Sequence, residues 1–109
     1  SGVVESVHGF VVGDDVYILV GGDDNKLYVY DGGGKTLFVK QYSGVVESVH
    51  GFVVGSDVYI LVGGKKRLYV YDGGGKTLFT KQYSGVVESV HGFVVGDDVY
   101  ILVGGDDNT

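Results

Sequence analysis

Cysteine, proline, methionine, tryptophan and alanine are all missing from the 109 residues. Without Cys there is no disulfide framework, no thiol nucleophile and no zinc knuckle, and nothing marks the redox compartment. Without Ala or Met, strong helix formers are scarce, and the apolar 44 % is Val, Leu, Ile, Phe and Tyr. β-branched and aromatic residues suit a pleated, half-buried surface, so the chain is expected to be all-β. No apolar run approaches the ~18 residues of a membrane span, and nothing resembles a signal peptide. Met is absent even from position 1, as expected of a processed chain or a span cut from something larger. Basic residues are also few, 8 Lys and Arg against 14 Asp and Glu, for a net charge of −6. That balance argues against a nucleic-acid binder, which needs a basic face to meet phosphates, and it favours solubility.

What is abundant is glycine, 21 residues, well above the usual share of about 7 %. It falls in regular clusters and so marks turns. The clusters belong to an internal repeat. Residues 1–42 align with 43–83, one residue shorter, and 84–109 repeat the opening of the first unit and stop. The differences are few, the largest being Asp23-Asp24-Asn25-Lys26 replaced by Lys65-Lys66-Arg67. Near-identity combined with a charge reversal in a single turn points to a designed repeat rather than a recent natural amplification. Each unit reads as four short strands: A, Ser6–Val12; B, Val16–Val20; C, Lys26–Tyr30; D, Lys35–Gln41. Strand B is apolar on both faces, as a strand sandwiched between sheets should be. Gly21-Gly22 with Asp23-Asp24-Asn25 read as the B–C turn, and Asp31-Gly32-Gly33-Gly34 as the C–D turn. Four strands per ~42 residues is the arithmetic of a β-propeller blade, giving about two and a half blades per chain.

Gly34-Lys35, Leu37, Val16-Tyr17, Lys26-Leu27-Tyr28 and Asp31 stand where PQQ-type (quinoprotein-like) β-propeller repeats carry the same residues. The chain resembles that group across both full units. It departs from it at the docking Trp, which is Phe38 here and Phe79 in the second unit. Kelch repeats resemble it less, through the double Gly after strand B. The resemblance implies a propeller fold and, if the protein is natural, an extracytoplasmic location. It implies no activity. No quinone cofactor is expected, because no ring-stacking, cation-bearing site can be found. A β-trefoil would need about four strands from each of three units, and the third unit supplies only A and B.

That inventory does not close. Propellers begin at about four blades, and the third unit leaves the VYILV strand, Val99, Tyr100, Ile101, Leu102 and Val103, without a neighbour. An uncharged edge of this kind adheres to other strands unless something pairs with it. Self-association as a homo-oligomer, by edge pairing or strand exchange, is therefore the main functional expectation. Charge could steer it: the three units carry −3, +2 and −5. Asp23 and Asp24, then Lys65, Lys66 and Arg67, then Asp106 and Asp107 make the B–C turns acidic, basic and acidic. Such turns set register in some assemblies and are solvated loops in others.

Candidate chemistry is sparse. Gly32–Thr36 and Gly73–Thr77, both GGGKT, lack the first Gly of a phosphate loop and precede strands, so they read as hairpin turns. His8, His50 and His91 recur on strand A, where three imidazoles could converge on a transition metal, although one repeated hydrogen-bonding His is the plainer reading. Asp23-Asp24-Asn25 and Asp106-Asp107-Asn108 lack the spacing and bidentate Glu of a calcium loop. No base–nucleophile pair can be placed, so no enzyme is expected. The sequence predicts a self-assembling propeller fragment without cofactor. The alternative is a natural extracytoplasmic propeller that binds peptide or carbohydrate.

Overall fold

The computed structural model describes residues 2–106. Among them ten strands and no helix are found. In chain order they are β1 Val4–Val12, β2 Asp15–Gly22, β3 Lys26–Asp31, β4 Thr36–Gln41, β5 Ser48–Val54, β6 Asp57–Gly63, β7 Arg67–Tyr71, β8 Thr77–Gln82, β9 Val87–Val95 and β10 Asp98–Gly105. The fold is all-β. Sheet one is β1-β2-β3-β4, sheet two is β5-β6-β7-β8, and sheet three is the β9–β10 pair, every pairing antiparallel.

The turns follow from the residues that bound them. Val12 pairs with Asp15, which leaves Gly13-Asp14 as a two-residue hairpin loop, and Gly13 takes the positive φ of 59° that such a loop requires. In the GGGKT turns the Asp31 carboxylate accepts the N–H groups of Gly33 and Lys35, both at 2.9 Å. Asp72 does the same for Gly74 and Lys76. Their amides are spent on their own aspartate, and strands follow them. The double glycine differs from expectation. Gly21 and Gly22 lie inside β2, not in the turn after it. Their role is space: a methyl at Gly21 would collide with Val46, and one at Gly22 with the Val3 carbonyl.

Alternation along each strand gives every sheet two faces. The front carries His8, Phe10, Leu19, Leu27 and Val29 in sheet one, and the back carries Val7, Gly9, Ile18 and Tyr30. The front of sheet one packs on the back of sheet two, where Leu19, Leu27 and Val29 meet Val49, Val58, Ile60, Val62 and Tyr71. The front of sheet two repeats this against the back of sheet three, with Leu61, Leu68 and Val70 against Val90, Ile101 and Val103. Fully burying such a side chain contributes about 1.5–3 kcal/mol, so these two layers hold the molecule together. Sheet two is covered on both sides, which explains why Ile60 and Leu61, neighbours pointing opposite ways, are both buried. The linking chain ties the sheets as well: the Val46 N–H donates to the Gly22 carbonyl and the Glu47 N–H to the Gly63 carbonyl, at 3.1 and 2.8 Å. The first strands β1, β5 and β9 lie side by side.

Candidate functional site

Because β1, β5 and β9 run side by side in equivalent register, their histidines form a row. His8 and His50 have ring centroids 4.2 Å apart, and so do His50 and His91. His8 Nδ1 accepts the Gly51 N–H at 3.0 Å, and His50 Nδ1 accepts the Gly92 N–H at 3.0 Å. A ring nitrogen that accepts carries no proton, so both imidazoles are neutral with hydrogen on Nε2. Burial lowers the pKa of both, most for His50, which is pushed down to about 4, with repulsion from His8 and His91 adding to it. The row therefore works as a line of backbone acceptors between sheets. Among the described residues no group of three or more His, Cys, Asp or Glu side chains is arranged to hold a metal ion.

A second row escaped the sequence reading. Glu5 and Glu88 sit where the β1–β2 and β9–β10 registers slip by a residue, and Glu47 holds the equivalent place before β5. Burial raises the Glu47 pKa, and the negative charges of Glu88, Glu5 and Asp106 raise it further. The recurrence of Glu three residues before each His was the available signal.

The charged turns serve their own sheets. Asp23 accepts the Val3 N–H at 2.6 Å, and Asp106 accepts the Val86 N–H at 2.7 Å, each anchoring the residue just before the first strand of its own sheet. Asp24 accepts the Lys26 N–H and the Tyr28 hydroxyl, and the latter bond is the main reason its pKa is lowered. Arg67 reaches Thr80 and Gln82 across β7 and β8. Lys65 packs beside Gly44, and Lys66 holds a positive φ of 62°. Asp107 lies outside the described residues.

The VYILV strand is β10. It pairs with β9 on one side, and among the described residues no strand pairs with it on the other. Its five edge residues do not act alike. Ile101 and Val103 pack into the core against sheet two, whereas Tyr100 and Leu102 are exposed on the opposite face. Beside the edge is a hollow of about 310 Å³ lined by Tyr83, Val87, Ile101 and Val103 among others. The counterpart of Tyr83 in the preceding unit, Tyr42, packs against Tyr69 and bonds the Tyr71 hydroxyl at 2.6 Å, both tyrosines coming from β7. Tyr83 itself lines the hollow.

Exposure marks the two outer faces. Val4 and Val7 are 59 % and 65 % exposed on the back of sheet one, against 1 % and 8 % for the equivalent Val46 and Val49. Leu102 is 53 % exposed on the front of sheet three, while its equivalents Leu19 and Leu61 are completely covered. No protein-family model matches the chain, and no curated protein is significantly similar to it.

Proposed function

We propose that the protein is a structural repeat module that assembles with copies of itself, its three sheets being successive blades of a β-propeller, two of four strands and one represented by its first two. Support for the blade reading comes from the strand order in each sheet, the side-by-side first strands, the face-to-face packing and the PQQ-like residues at Lys26-Leu27-Tyr28 and Gly34-Lys35. On this reading the chain is of designed origin and has no catalytic role, and its histidines hold blades together.

One observation carries the assembly reading: residues of identical type and register are buried in sheet two and bare on the outer faces of sheets one and three. Contiguous apolar faces of that kind mark association surfaces in soluble proteins. An open edge at β10 adds main-chain donors and acceptors that another strand can take. The test is the mass of the 109-residue chain in solution by light scattering. A discrete multiple of the 11.5 kDa chain is expected at micromolar concentration. A stable monomer there would overturn the assembly reading.

A further inference from the structure

The front of sheet three and the back of sheet one are the separated halves of a contact that the chain already makes twice. In that contact a phenylalanine of one sheet lies over the glycine that follows the histidine of the next. Phe10 covers Gly51 and Phe52 covers Gly92, so closely that a methyl group on either glycine would run into the ring. The histidine two residues before each phenylalanine accepts the N–H of that same glycine, at 3.0 Å in both cases. Ring and acceptor thus grip one residue whose missing side chain makes the approach possible.

At the two ends the halves stand apart. A methyl group on Gly9 would meet nothing but the Tyr17 carbonyl, at 3.7 Å, so no ring covers it. Phe93, stacked on Tyr100 at 5.5 Å, and His91 have no glycine of a following sheet beneath them among the described residues. We infer that a second copy of this chain joins the first head to tail, the Phe93 ring of one copy lying over Gly9 of the other and His91 Nδ1 accepting that Gly9 N–H. The occupant is a second copy because the bare surface has the shape this chain's own phenylalanine fills twice, and the inferred contact continues the internal series by one step. It is heterologous: two different surfaces meet, and every copy carries both. This inference rests on the assembly reading and specifies which faces meet.

The experiment uses two variants that damage opposite halves. Gly9→Val places a branched side chain in a strand where its Cβ meets only the Tyr17 carbonyl of its own chain, at an ordinary contact distance of 3.7 Å, so the chain is expected to fold with an unchanged far-ultraviolet circular dichroism spectrum. In the contact it meets the Phe93 ring, and association is expected to weaken by about ten- to a hundredfold. Phe93→Ala removes the ring from the other half and is expected to weaken association similarly. Mixing the two variants restores one intact contact, between Phe93 of the Gly9→Val chain and Gly9 of the Phe93→Ala chain, and a dimer reappears by light scattering. An isologous contact through the back of sheet one would be lost in Gly9→Val, kept in Phe93→Ala and not rescued by mixing, which overturns the inference. An oligomer unchanged in both variants overturns it too and leaves the assembly reading standing. A monomeric unsubstituted chain removes that reading itself.

Discussion

Tyr42 and Tyr83 occupy the same place in consecutive units and differ only in what the fold puts beside them. The Tyr42 hydroxyl bonds that of Tyr71, and Tyr71 is almost wholly buried. Burial and this bond raise the Tyr42 pKa far above its usual range. Tyr42→Phe leaves the Tyr71 hydroxyl without a partner and is expected to cost about 1–2 kcal/mol in urea unfolding. Tyr83→Phe, beside the hollow next to β10, is expected to change stability by less than about 0.5 kcal/mol. Equal losses would show that the hydroxyl pair contributes nothing. No sequence reading could separate these two tyrosines, because their local sequences match and only the β7 side chains distinguish them.

At the scale of the strand and turn, most of the fold was legible. The strands in units one and two fall where β-branched and aromatic runs place them, bounded by Gly and Asp turns. The boundaries that moved did so for a tertiary reason. Gly21 and Gly22 look like turn residues, yet they extend β2 because Val46 and the Val3 backbone need the room. The B–C turns show how one deletion is absorbed. Asn25 and Lys66 take the same left-handed conformation, with φ of 67° and 62°. Both residues carry a Cβ that crowds the carbonyl there, but Asn has a short polar side chain that can bond the local backbone in compensation, and Lys does not. Lys66→Gly is therefore expected to stabilise the chain by about 0.5–1 kcal/mol, read from the denaturation midpoint, whereas Asn25→Gly gains less. A loss in Lys66→Gly would mean that the lysine side chain makes a contact worth more than the strain.

For the whole molecule, the histidine row couples packing to pH. An unfolded His binds its proton near pH 6.5, while His50 in the folded chain refuses it until about pH 4, and His8 is lowered in the same direction. The unfolded state thus holds more protons across this window, so stability is full above about pH 6.5 and falls as the pH drops toward 4. With solvent screening at the half-exposed ring, the loss is on the order of 1 kcal/mol for His50. Glu47 acts with the opposite sign, since its raised pKa lets the folded state keep a proton that the unfolded state has released. Chemical denaturation at pH 7.5, 5.5 and 4.5 is expected to show the decline. His50→Gln should flatten it and Glu47→Gln should steepen it. A midpoint independent of pH in the unsubstituted chain would contradict the neutral-acceptor role of the row.

Composition and period determined by themselves that the chain is all-β, roughly where its strands run, most of the residues that turn it, and that it repeats. These are local properties, written in alternation and in Gly and Asp at fixed offsets. Residues 1–25 and 84–108 are identical in sequence. Yet Leu19 is completely covered and Leu102 is half bare, Val87 is buried and Val4 is not, and Gly9 stands open while its equivalents Gly51 and Gly92 lie beneath rings. Only the tertiary structure decided this, because burial is set by what lies across a face, and identical strands at opposite ends of a stack have different neighbours.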